Sequence, residues 1–176
     1  MKANYKSIFG WSNVLSNYSF ADFFKDAWLP GLVASLLLLL AVFNKVDMYL
    51  QVKSLLELGI TIIPSMVALI VAAYTIMLSF LLSDKVSSIK EKTGGREFIQ
   101  NINSSFAMCL LISILTIILM IVFKGISCMD LEVEPKLADA INYVAYFIIT
   151  FLLTYSVFIL VGIVIDIYNS GQTSLL

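Results

Sequence analysis

Four stretches of this chain, 27–43, 58–82, 106–123 and 143–165, are almost wholly apolar and hold no Asp, Glu, Lys, Arg or His. Polar, charged and turn-forming residues collect between them. The hydrocarbon core of a bilayer is about 30 Å thick and takes about 20 helical residues to cross, so each stretch is long enough to span it. In lipid the backbone must satisfy its own hydrogen bonds, which restricts spans to helices or a closed barrel. Unbroken apolar runs without two-residue alternation favour helices. The pattern therefore predicts an all-α polytopic membrane protein, a four-transmembrane-helix bundle with spans at about 27–44, 58–82, 105–123 and 141–165. These fall in one transmembrane domain over 27–168, followed by a short tail at 169–176.

The segment ahead of the first span, 1–26, has a different pattern. Ile8, Trp11, Val14, Leu15 and Tyr18 recur at helical spacing, with Ser12, Asn13, Ser16 and Asn17 opposite. An aromatic-rich amphipathic stretch beside a span predicts a helix lying in the membrane interface. Trp11, Tyr18, Phe23, Phe24 and Trp28 are its expected headgroup-level anchors. Ser19-x-x-Asp22 has the spacing of a capping box opening the next helix, and Pro30 falls near where the span begins. Such a segment serves either as a plain anchor or as a partner-binding or membrane-perturbing helix. No cleaved leader is expected, since the first apolar run starts only near residue 27.

The loop 83–104 is the longest polar connection. Ser88-Ile89-Lys90-Glu91 offers a capping signal, Gly94-Gly95 a turn, and 97–103 a helical lead into the third span. Thr93-Gly94-Gly95-Arg96 lacks the Walker pattern of a phosphate-binding loop. Basic residues set orientation. Lys2, Lys6, Lys25, Lys85, Lys90, Lys92 and Arg96 fall on one side, against Lys45, Lys53, Lys124 and Lys136 on the other. That excess predicts cytoplasmic N- and C-termini and a cytoplasmic 83–104 loop.

Composition excludes more than it assigns. Hydrophobic residues make up 60% of the chain and charged ones 13%, where a soluble domain has about 25% charged. A net charge of −1 gives no basic surface for nucleic acid. There is no His, the commonest general base and metal ligand. Cys109 and Cys128 lie near opposite ends of one helix, about 28 Å apart, too far for a disulfide. Two cysteines make no metal site. Asp130, Glu132, Glu134 and Asp139 match no EF-hand spacing. Glu57, Lys124 and Asp166 cap the apolar runs without interrupting them. No nucleophile with a base, carboxylate pair or metal site can be built at membrane depth, so no enzyme is expected, and no catalytic, cofactor-binding or metal-ligating residue. Absence of mid-span charge and of internal repeats also disfavours proton-coupled transport.

The second span holds the sharpest internal pattern. Thr61, Ser65, Ala68, Ala72, Thr75 and Ser79 follow one another at alternating intervals of four and three residues, a heptad stripe of small and hydroxyl-bearing side chains. In lipid, small residues mark where helix backbones approach closely. The stripe is read as a helix-packing seam, within the bundle or between copies, or alternatively as the lining of a pore. Ser105, Cys109, Ser113 and Thr116 form a weaker polar face on the third span, and Asn142, Tyr146, Thr150 and Thr154 another on the fourth. Both are expected to meet the second-span stripe in one core. Pro64 beside the stripe is expected to give a modest kink.

The segments Ile63-Pro64-Ser65, Ala72-Ala73-Tyr74-Thr75-Ile76-x-Leu78-Ser79-Phe80 and Asn103-Ser104-Ser105-Phe106 resemble a loose group of uncharacterised small bacterial inner-membrane proteins with four spans, some encoded in anti-phage defence neighbourhoods. The resemblance implies a bacterial inner membrane and transfers no site residues. Two functions follow as expectations. One is a non-catalytic membrane subunit, a scaffold or sensor that forms a homo-oligomer or joins a partner protein. The other is a small oligomeric pore or membrane-permeabilising effector.

Overall fold

The computed structural model describes residues 20–81, 95–129 and 134–173. Trp11, Tyr18, the amphipathic N-terminal stretch, the Ser19 cap and most of the 83–104 loop lie outside the described residues. The described residues form four helices: α1 (Phe20–Phe43), α2 (Met48–Leu81), α3 (Gly95–Ser127) and α4 (Pro135–Thr173). Each contains a segment long and apolar enough to cross a membrane: Phe23–Phe43, Met48–Ser79, Ile102–Ser127 and Pro135–Ile165. The protein is a multi-pass, all-α membrane protein, with no strand among the described residues.

The helices run past the limits set by the apolar stretches. α2 has 34 residues and α4 has 39, or about 51 and 58 Å at 1.5 Å per residue, against a hydrocarbon core of about 30 Å. Apolarity ends where lipid ends, but the backbone ladder continues into the interface. α1 continues through Pro30, which stands ten residues inside the helix and not at its start. α2 likewise continues through Pro64.

α1 and α2 are joined by a tight turn. The Val46 N–H donates to the Ala41 carbonyl and the Lys45 N–H to the Val42 carbonyl, both at 3.1 Å. These two bonds are the Schellman pattern of a helix C-terminus. Its left-handed residue is Lys45, with φ 50°, where glycine is usual. Asp47 then caps α2, its Oδ1 accepting from the Leu50 N–H at 3.2 Å.

Two apolar clusters show the helices alternating in direction. One gathers Ala27 near the start of α1, Met77 near the end of α2, Ile102 near the start of α3 and Ile163 near the end of α4. The other gathers the opposite ends: Ala41, Leu56, Met120 and Ala145. α2, α3 and α4 pack against one another, whereas α1 packs chiefly on α4. The bundle is thus a three-helix core with α1 laid against one side.

Candidate functional site

Along α2, the buried positions are Met48, Val52, Leu56, Ile63, Ile70 and Met77, together with Gly59. Leu56, Ile63, Ile70 and Met77 recur every seven residues and fill the centre between α3 and α4. Thr61, Ser65, Ala68, Ala72, Thr75 and Ser79 are all exposed. At about 100° per residue they lie opposite the buried row. This corrects the expectation that the stripe packs inside the core. A helix wedged between two neighbours must fill a three-way centre at close-packed density, which takes large side chains. The small face is left pointing outward.

The hydroxyls on that outward face are satisfied locally. Thr61 donates to the Glu57 carbonyl at 2.8 Å, Thr75 to Val71 at 2.9 Å and Ser79 to Thr75 at 3.0 Å. Hydroxyls bonded back to the preceding turn expose no free donor, so these three do not require water beside them. The surface is low in relief and flanked by bulky Ile62, Leu69, Val71 and Ile76, all exposed.

The polar faces of α3 and α4 turn inward without the α2 stripe. Cys109, Ser113 and Thr116 are buried on α3, as are Tyr146 and Thr150 on α4; Ser105, Asn142 and Thr154 are half-buried. Across α2 and α3, the Tyr74 hydroxyl donates to Asn103 Oδ1 at 2.5 Å. At the other end of the same pair, Lys124 Nζ meets Glu57 Oε1 at 3.1 Å. Two residues that cap apolar runs in the sequence are therefore partners, exposed enough that the pair contributes about 1 kcal/mol at most. Of the expected anchors, Phe24 and Trp28 face outward. Phe23 instead turns onto α4, its ring edge-on to Tyr155 at 5.5 Å.

Two close approaches escaped the sequence argument. On α1, Ala27, Ala34 and Ala41 recur every seven residues and are buried together with Pro30. They face an α4 whose Phe147, Phe151 and Tyr155 stack at successive turns, with centroids 6.4 and 5.6 Å apart. Small side chains let the α1 backbone settle onto bulky rings, the packing mode expected in lipid. The second is Gly59, where an added Cβ would run into Sδ and Cε of Met120 and lie 3.2 Å from Leu153 Cδ2. The seven-residue alanine spacing was a usable signal for the first; an isolated glycine at the start of a span was a weak one for the second.

An open cavity of about 280 Å³ lies where the α1–α2 turn meets the start of α4, lined in part by Asp47, Tyr49, Asp139, Asn142 and Tyr143. The Asp47 carboxylate there is engaged in capping α2. Both cysteines are free, Cys109 buried and Cys128 exposed. Among the described residues no group of three or more His, Cys, Asp or Glu is placed to hold a metal ion. No family model, curated protein or solved structure matches the chain.

Proposed function

We propose that this protein is a non-catalytic membrane subunit, a scaffold or sensor, that associates through the outward face of α2 with another transmembrane helix, a second copy of this chain in the simplest case. The observation that carries the reading is the placement of Thr61, Ser65, Ala68, Ala72, Thr75 and Ser79 on the exposed side of α2, which no described helix covers. A row of small residues gives a lipid-facing helix little to gain from lipid and much from a close neighbour. The internal bonding of three of its hydroxyls favours protein contact over a water-filled pore lining. In this reading the protein sits in a bacterial inner membrane with both termini in the cytoplasm. The excess of basic residues on one side and the even number of spans support that orientation.

Replacing Ala68 and Ala72 together with leucine tests the reading. The face is exposed among the described residues, so the bundle should stay folded while crosslinked oligomer disappears from membranes. Undiminished crosslinking would refute the seam. Single cysteines at positions 61, 65, 68 and 72, on a Cys128→Ser background, separate packing from a pore. Ready modification of all four by a water-soluble thiol reagent would favour the pore.

A further inference from the structure

The apolar stretches of the four helices are out of register along the bundle. The Phe23 ring meets Tyr155 edge-on at 5.5 Å, and a Cβ on Gly31 would lie 3.9 Å from Cε2 of Phe151. Ala27, midway between those two residues of α1, is thus about level with Leu153, midway between their partners on α4. Gly59 approaches both Leu153 and Met120, so Ala27, Gly59, Met120 and Leu153 share one level. Ala27 is the first residue of the α1 apolar stretch, whereas Gly59 and Met120 lie near the ends of theirs that are closest to the α1–α2 turn. From this level the apolar stretch of α1 runs toward the turn, those of α2 and α3 run almost wholly the other way, and that of α4 extends in both directions. The tight turn enforces part of the offset. α2 starts at Met48, just past a turn that begins after Phe43. Its early residues, with Gln51, Lys53, Ser54 and Glu57 among them, therefore run back beside the leucines of α1.

The result is a polar flank and an apolar flank at the same height. Between the shared level and the turn, α1 exposes Leu32, Leu36, Leu39 and Leu40. Over the same height α2 exposes Lys53, Ser54 and Glu57, and Lys124 of α3 joins Glu57. Tilting the bundle does not bring both flanks to their own depth in a flat bilayer. The middle of the α1 stretch, residue 35, is about 12 Å from the shared level on the turn side. The middle of the α2 stretch, residue 70, is about 16 Å from it on the other side. Both helices pack on α4, so they are at most about 20 Å apart. Aligning the two stretches would require a tilt beyond about 50°, against an observed upper range of about 40°. A charged side chain in hydrocarbon is unfavourable, and local thinning of the bilayer with entry of water relieves it.

We propose that the chain thins the bilayer around itself. On the turn side, phospholipid headgroups and water descend along α2 and α3 to Lys53, Glu57 and Lys124, at a depth where α1 is still surrounded by acyl chains. The thinning does not depend on association through the stripe, which starts at Thr61 and runs from the shared level away from the turn.

The test uses nitroxide labels on single introduced cysteines, Ser54→Cys or Leu36→Cys, in the full chain in phosphatidylcholine bilayers. The background is Cys128→Ser, with the buried Cys109 left in place. Leu36 is farther from the shared level than Ser54, both toward the turn, so in a flat bilayer Ser54 would be the better shielded. The reverse is expected. Collisions with a water-soluble nickel chelate should be several-fold more frequent at Ser54 than at Leu36, while oxygen collisions favour Leu36. The Ser54 label should also broaden the phosphorus resonance of the headgroups more than the Leu36 label does. Equal or lower nickel accessibility at Ser54 would overturn the proposal, as would water exposure at both positions. Nickel access without the stronger phosphorus broadening would put water there without headgroups, and overturn it too. So would a mean helix tilt beyond about 50° in oriented-bilayer circular dichroism. Adding Ala68→Leu and Ala72→Leu, which remove the proposed association, should leave both readings unchanged. Loss of the contrast in that background would tie it to the oligomer and overturn the proposal, whereas loss of the α2 seam alone would not.

Discussion

Replacing Gly59 by leucine should damage the bundle more than any comparable change on the opposite face of α2. Even one methyl group at this position meets Met120 and approaches Leu153. Met120 is itself fully buried, so its thioether has little free volume into which to swing. Overpacking of this kind costs about 1–3 kcal/mol, while a better helix former than glycine returns about 1 kcal/mol at most. Gly59→Ala should thus lose about 1 kcal/mol net, and Gly59→Leu about 3 kcal/mol. The rescue is specific. Met120→Ala alone opens a cavity and should cost about 2–5 kcal/mol. Combined with Gly59→Leu, the new side chain enters the space that the thioether leaves, and the double variant should be more stable than the sum of the single changes by at least about 1 kcal/mol. Reversible unfolding in detergent, followed by circular dichroism, measures all four corners of the cycle. Additivity within about 0.5 kcal/mol would show that the two residues do not touch. Gly125 provides the control: nothing lies within 4 Å of its added Cβ, so Gly125→Ala should gain up to about 1 kcal/mol from helix propensity.

Three further outcomes follow from the packing. Ala34 is 0% exposed against α4, so Ala34→Leu should loosen α1 at a cost of about 1–3 kcal/mol, seen as faster proteolysis in the 44–47 turn while α2–α4 stay protected. Lys45→Gly should raise stability by about 1 kcal/mol in thermal unfolding, because glycine adopts the left-handed conformation of that turn without strain. Tyr74→Phe removes the bond to Asn103 and should lower stability by about 0.6 kcal/mol, up to about 1.7, in the same assay; an unchanged midpoint would show that the bond contributes nothing.

The α2 stripe was open to a partner within the bundle or between copies, and among the described residues it lies on the exposed side of the helix. Both faces of α2 repeat every seven residues: the stripe from Thr61 to Ser79, and the row Leu56, Ile63, Ile70 and Met77. Periodicity therefore gave no basis for choosing between them. On α1 the same spacing of Ala27, Ala34 and Ala41 was masked by a leucine-rich background, and it proved to be the close-packed seam within the chain. The inward turn of the α3 and α4 polar faces was legible only as a set of aligned residues. That each face buries a hydroxyl without a partner, Ser113 on α3 and Thr150 on α4, depends on how the two helices are rotated.

The number of spans and their helical character followed from the sequence by itself. The thickness of lipid imposes a length on any uncharged run, and an uncharged run of that length is a local property of the chain. Tertiary structure alone decided which side of each helix packs. That choice depends on how many neighbours a helix has: α1 rests chiefly on α4 and approaches it through alanines, while α2 sits between two helices and must fill the space with leucine, isoleucine and methionine.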